Sequence, residues 1–156
     1  MSSAPKICFI ESAAYAVLDG SIGGSSTGSE SVQHTFASGV PYSEVNAYFE
    51  RARVFLNTSD SEGFPNSFLQ AWVRRVPVIS YFDPDQVIAA KGLGVSVDTQ
   101  NDFVAAISGL LGDEDERQEA GRRSRQFVVD RYSPDAIAVQ YERLIAEQFG
   151  ITIDGL

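Results

Sequence analysis

Residues 53–81 read RVFLNTSDSEGFPNSFLQAWVRRVPVISY, and the fold is decided here. The stretch opens with Arg53 to Thr58, where Val54, Phe55 and Leu56 form the unbroken apolar run of a strand buried on both faces. A polar loop from Ser59 to Gly63 follows. A helix is predicted from about Pro65 to Arg75. Proline suits its first turn, where the missing N–H is not needed, and Phe68, Leu69, Trp72 and Val73 make its apolar stripe. Pro77 to Tyr81 is a second strand with proline at its first position. Strand, helix, strand is the repeating unit of a parallel sheet.

The alternation continues on both sides. Upstream, Ser43 is a good N-cap, and Val45, Tyr48, Phe49 and Ala52 share one helical face. Downstream, Asp83-Pro84 starts a short helix ending near Lys91-Gly92, and Gly94 to Asp98 is a last strand. Three helices are predicted at 102–111, 114–131 and 134–147. Asp113 with Glu116 caps the second, and Ser133-Pro134 caps the third with proline at N1. Near the N-terminus, Lys6 to Glu11 reads as a buried strand, Ala-rich 12–18 as one or two helical turns, and 32–37 as a weak strand. The tail from Ile151 to Leu156 is expected to be loosely held.

The chain has 156 residues, 44% of them apolar, enough for one domain with a real core and too few for two. Twelve lysines and arginines against 21 acids give a formal charge of −9, which argues against a grip on nucleic acid or anionic lipid. No apolar run is long enough to span a membrane, and Met1 to Lys6 lacks a signal-peptide layout, so a cytoplasmic location is expected. One cysteine, Cys8, allows no internal disulfide, and one histidine, His34, argues against a His-based metal cage within one chain; no metal site is expected. Both residues read as structural.

Two local features carry weaker signals. Residues 20–31 are Gly/Ser-rich; Gly23, Gly24 and Ser25 are a weak phosphate-loop candidate, but no Gly-Lys-Ser/Thr follows, and a plain connector is the simpler reading. Arg117, Arg122, Arg123 and Arg125 cluster among Asp113, Glu114, Asp115, Glu116 and Glu119, which reads as a salt-bridged, solvated helix rather than an anion site.

Val45 to Ser59, then Glu62-Gly63-Phe64-Pro65-Asn66 with its apolar helix to Trp72, then Val76-Pro77-Val78-Ile79-Ser80, together resemble the C-terminal, nucleotide-sugar-binding half of group 1 glycosyltransferases of the GT-B fold. Gly92-Leu93-Gly94-Val95 resembles that family's last strand, and Leu110-Leu111 with Asp113 its following helices. The resemblance covers roughly residues 32–148. Residues 6–31 more weakly resemble the start of the N-terminal, acceptor-side half. Most of that half, and the first two donor-domain strands with their diphosphate-binding Arg and Lys, have no counterpart in this chain, which is therefore expected to be truncated relative to the full enzyme.

The resemblance implies a donor site formed by Glu62, Gly63, Phe64, Pro65, Asn66 and Gln70. Glu62 would accept hydrogen bonds from sugar hydroxyls. Gln70 stands where the family often has a second glutamate for the nucleotide ribose; it still hydrogen-bonds hydroxyls but carries no charge. From the residues alone, Glu62 and Asn66 read first as helix caps. No catalytic residue is assigned. The expected ligand is a nucleotide-diphosphate sugar, and no cofactor is expected.

The fold expected is α/β: a single three-layer Rossmann-like domain over residues 1–150, with a mostly parallel sheet of about five strands and helices on both faces. Residues 1–31 would supply an N-terminal strand and connector, and 32–150 the glycosyltransferase-like part. If strand 6–11 fills the vacant slot beside 53–58, the order becomes 32–37, 6–11, 53–58, 77–81, 94–98, the flavodoxin-like 2-1-3-4-5 arrangement. The function expected is nucleotide-sugar binding by a domain derived from a retaining hexosyltransferase, weak or inactive alone as a transferase. The alternatives are an assembly module, pairing with a separate acceptor domain or forming a homodimer through an exposed sheet edge, an inactive fragment, and a flavodoxin-like phosphate or flavin binder.

Overall fold

The computed structural model describes residues 6–11, 14–18, 34–35, 42–61 and 63–150. Its centre is a run of three parallel strands, β4 (Ala52–Asn57), β5 (Val78–Ser80) and β6 (Gly94–Ser96). The alternation of side chains along a strand sorts their residues into two cores. Phe55 and Val78 face one side, where they meet Phe49, Phe68, Trp72, Ile88, Leu93 and Phe127. Val54, Leu56 and Ile79 face the other, with Val97, Phe103 and Leu110. Helices α1 (Tyr42–Arg51), α2 (Asn66–Val73), α3 (Val87–Lys91) and α5 (Glu114–Tyr132) contribute to the first core, and α4 (Gln100–Gly112) to the second. Helices therefore cover both faces of the parallel strands, as the alternating sequence predicts.

The other half of the sheet departs from expectation. The full order is β3-β1-β2-β4-β5-β6, six strands rather than five. Here β1 is Lys6–Glu11, β2 is Ala14–Leu18 and β3 is His34–Thr35. The flavodoxin-like order is not formed: β1 does not lie beside β4, because β2 stands between them and pairs antiparallel with both. Two physical reasons apply. Tyr15 and Val17 alternate with small residues, a pattern that fits a pleated strand better than the helical turns expected for 12–18. With Glu11 opposite Ala14, the connection is too short for a parallel crossover but long enough for an antiparallel return. β3, the remnant of the predicted strand 32–37, pairs parallel with β1 over two residues.

The remaining elements follow their predicted caps. The Asp113 carboxylate accepts from the Glu116 N–H at 2.9 Å, and the Ser133 hydroxyl from the Ala136 N–H at 3.2 Å, with Pro134 opening α6 (Pro134–Phe149). The turn from α3 into β6 is tied from three directions. The Leu93 carbonyl accepts from the Val78 N–H, the Trp72 indole N–H and the Ser124 hydroxyl. Gly94 follows at φ +147°, and a Cβ there would lie 1.8 Å from the Val78 carbonyl oxygen, so only glycine lets β6 reach β5. None of the described helices is long and apolar enough to cross a membrane.

Candidate functional site

Parallel strands deliver their following loops to one edge of the sheet, and ligands of open α/β sheets bind at that carboxyl edge. Here the edge is a polar row in register: Asn57 pairs with Ser80, and Ser80 with Ser96. Asn57 and Ser80 are buried, and each turns its strand into a loop by the same device. The Asn57 Oδ1 accepts from the Ser59 N–H at 2.7 Å, and the Ser80 Oγ from the Phe82 N–H at 3.0 Å. Sequence reading did not single out either residue. The available signal was a polar residue closing an otherwise apolar strand, two positions before the loop turns.

The loop after β4 leads into α2. Gly63 is exposed, and a Cβ built on it would meet nothing within 4 Å. Phe64 turns inward: its ring lies 6.2 Å from Trp72 and 5.6 Å from Tyr132, centroid to centroid. Pro65 is buried and stands at the N-cap rather than N1, with φ −72° and ψ 122°. It has no side-chain cap to offer, and the first turn of α2 carries no acid. Among the described residues, no side chain caps the amides that open α2 at the carboxyl edge, an arrangement suited to an anion. Asn66 is exposed inside the helix and does not act as its cap. Half-buried Gln70 follows one turn later, so the helix brings Asn66 and Gln70 onto one face. Of the predicted site residues, Gly63, Phe64, Pro65 and Asn66 are consecutive at the start of α2, with the Phe64 ring turned inward and Gln70 one turn into the helix. Glu62, Gly23, Gly24 and Ser25 lie outside the described residues.

The loop after β5 runs beside it. Asp83 holds this loop by accepting from the Ile88 N–H at 2.8 Å and the Ala89 N–H at 3.0 Å. Between the staple and its targets, Asp85 and Gln86 adopt left-handed backbone at φ 51° and 58°. Two consecutive non-glycine residues in that region are strained, and such strain gathers at functional edges. Sequence reading placed a short helix here and missed the strained pair.

Metal chemistry has no donor set here: the described residues contain no group of three His, Cys, Asp or Glu able to hold an ion. The shifted titrations lie away from the edge, on α5. There the Arg122 guanidinium, hydrogen-bonded to Glu119, holds that carboxyl below its ordinary value and is itself raised.

No curated protein matches the chain. The family model of group 1 glycosyl transferases matches residues 29–127, a span that includes β4, β5 and β6 with both edge loops.

Proposed function

The chain belongs to the group 1 glycosyltransferases, and from that premise we propose that it binds a nucleotide-diphosphate sugar at the loop between β4 and α2. The observation that carries this reading is the set of α2 amides that no side chain of the described residues caps, at the carboxyl edge beside open space over Gly63. A diphosphate is the ligand group that such amides satisfy. Asn66 and Gln70, on one helical face, offer amide groups to hydroxyls of the ribose or sugar. The family resemblance gives Glu62 the sugar hydroxyls as hydrogen-bond donors, a charge-assisted arrangement. The sugar transferred is read as a hexose.

Transfer needs more than a donor. A second wall must hold the acceptor against the sugar, since positioning two substrates supplies a large part of the rate. We read residues 1–150 as a donor-side unit with weak transferase activity, or none, in isolation. A second reading, pairing with a separate acceptor domain, is favoured by α6. None of its residues is buried, and Tyr141, Leu144 and Phe149 present 59–71% of their surfaces to solvent. Sedimentation of the purified chain tests it; a monomer that captures no acceptor domain sinks it.

The donor reading is tested by thermal unfolding against uridine, guanosine and adenosine diphosphate sugars. Ligand at about 100 times its Kd adds ~2.7 kcal/mol, a shift of several degrees in a domain of this size. A shift selective for one nucleotide and lost in Glu62→Ala is the expected result. No shift with any of the panel overturns the reading.

A further inference from the structure

The arginines that the sequence gathers on α5 are engaged. Arg122 grips Glu119 with two hydrogen bonds of 2.8 and 2.7 Å. Arg123 reaches Glu116 at 2.8 Å and the Gly92 carbonyl at 2.9 Å. Buried Arg117 donates to the Leu110 carbonyl at 3.0 Å. Two other cations are not so engaged. Lys91, in the last turn of α3, and Arg131, in the last turn of α5, have no carboxylate partner among the described residues.

Both line one cavity of about 300 Å³ between α5 and the turn from α3 into β6. Leu93 and Phe127 give it an apolar floor, and Arg122 and Arg123 add to its rim. Arg131 is held there by its own stacking, with the guanidinium carbon 5.6 Å from the centroid of the Phe127 ring. Asp130 is the acid of the described lining, and its carboxylate accepts from the Gln126 amide at 2.6 Å. With Arg122 and Arg123 matched by Glu119 and Glu116, the lining keeps Lys91 and Arg131 against the one acid Asp130, a local cationic excess in a chain whose net charge is −9. Such local excess does not follow from composition; it creates an attractive potential for anions inside a repulsive surround.

We propose that this cavity binds a small organic phosphate, its phosphate between Lys91 and Arg131 and its carbon skeleton over Leu93 and Phe127. A guanidinium fork and an ammonium are the pair that suits a phosphate's several oxygens. The volume is at the small end of ligand pockets. The site is separate from the donor loop. Lys91 and Leu93 precede the first residue of β6, whereas the donor loop leaves the last residue of β4, and the strands are parallel, so the Lys91 end of the cavity lies at the sheet edge opposite the donor loop; Arg131, next to the Tyr132 that packs on Phe64, is the end nearer that loop, and the two sites share no lining residue. The proposal does not depend on the donor reading.

Calorimetric titration of the chain with phenyl phosphate, beside inorganic phosphate, tests it. Saturable binding of one phenyl phosphate, tighter than inorganic phosphate, is expected. Lys91→Ala should weaken it about tenfold, the equivalent of ~1.4 kcal/mol, and Lys91→Ala with Arg131→Ala should abolish it. Arg143→Ala, which removes an exposed cation outside the cavity, should leave it unchanged. Lys91 and Arg131 are exposed, so the unliganded thermal midpoints should match the wild type and report intact folding. Absence of saturable binding overturns the proposal. So does undiminished affinity in the double variant, which would place the anion elsewhere, as at the start of α2. Equal affinity for the two phosphates overturns the organic class of the ligand.

Discussion

Phe64 and Tyr132 lie ring against ring, 5.6 Å between centroids and inclined by 36°. The contact joins the loop before α2 to the last residue of α5, one position ahead of the Ser133 that caps α6. Phe64 also meets Trp72 nearly edge-on at 68°, and Trp72 meets Phe127 at 86°. One aromatic chain therefore sets the height of the candidate loop above the sheet. In the proposed donor reading the loop's backbone would face the ligand, while its phenylalanine packs against the core.

Phe64→Ala should separate these two duties. Losing two ring contacts of ~0.5–1.5 kcal/mol each, plus the apolar area of a half-buried ring, should cost about 2–3 kcal/mol in urea unfolding. Nucleotide-sugar affinity should fall as well, because Gly63 and Pro65 lose their anchor. Phe64→Leu should recover much of the stability and part of the affinity. Equal stability of Phe64→Ala and wild type would remove the aromatic chain as the loop's support.

Glycines in this chain should give opposite results by position. A Cβ on Gly121 would lie 2.2 Å from the Arg75 carbonyl oxygen, and on Gly94 1.8 Å from that of Val78. Both contacts are with backbone, which cannot swing away, so Gly121→Ala and Gly94→Ala should each cost more than ~3 kcal/mol or prevent folding. Gly109 sits inside α4, and a Cβ there meets nothing within 4 Å. Gly109→Ala should stabilise by ~0.5–1 kcal/mol through helix propensity. Denaturant midpoints of the three variants give the comparison; destabilisation by Gly109→Ala would contradict it.

What the sequence discloses follows from how local each determinant is. The apolar run Val54-Phe55-Leu56, the stripe Phe68-Leu69-Trp72-Val73 and the caps Asp113 and Ser133 act within a few residues, and each reappears within a residue or two of its predicted place. The strand order is not local. Whether 14–18 becomes helix or strand depends on β4 offering an open edge for Tyr15 to pair against Leu56, a partner 41 residues away in sequence. The loop Gly63–Asn66 is legible because Pro65 sets the extended entry into α2. The Asn57 and Ser80 hydrogen bonds, the left-handed pair Asp85–Gln86 and the cavity that Lys91 and Arg131 both line are three-dimensional facts with faint linear traces.

The staple at Asp83 should be separable from the strain it holds. Asp83→Ala leaves the Ile88 and Ala89 amides without their carboxylate and should cost ~1–2 kcal/mol, as loss of a helix cap does. Asp83→Asn keeps one acceptor oxygen and should recover part of it. Gln86→Gly should be neutral or mildly stabilising, because glycine adopts the φ of 58° without a Cβ clash. Urea midpoints decide the case, and clear destabilisation by Gln86→Gly would show that its side chain, not only its backbone, supports the edge.

The Glu119–Arg122 pair makes a directional prediction for pH. Two hydrogen bonds from Arg122 hold the Glu119 carboxyl below its ordinary value in the folded chain. A lowered folded-state value means that the unfolded chain takes up this proton first as pH falls. The pair's contribution is therefore complete above the unfolded carboxylate range, near pH 4–5, and is lost as pH drops through the folded value. The pair is open to solvent, so the contribution is small and shrinks with added salt. In urea titrations from neutral to acid pH, the gap between wild type and Glu119→Gln should be widest at neutrality and close on the acid limb. The same gap should narrow at high salt. Parallel curves at all pH values would mean that the pair, though short in the folded chain, adds nothing to its stability.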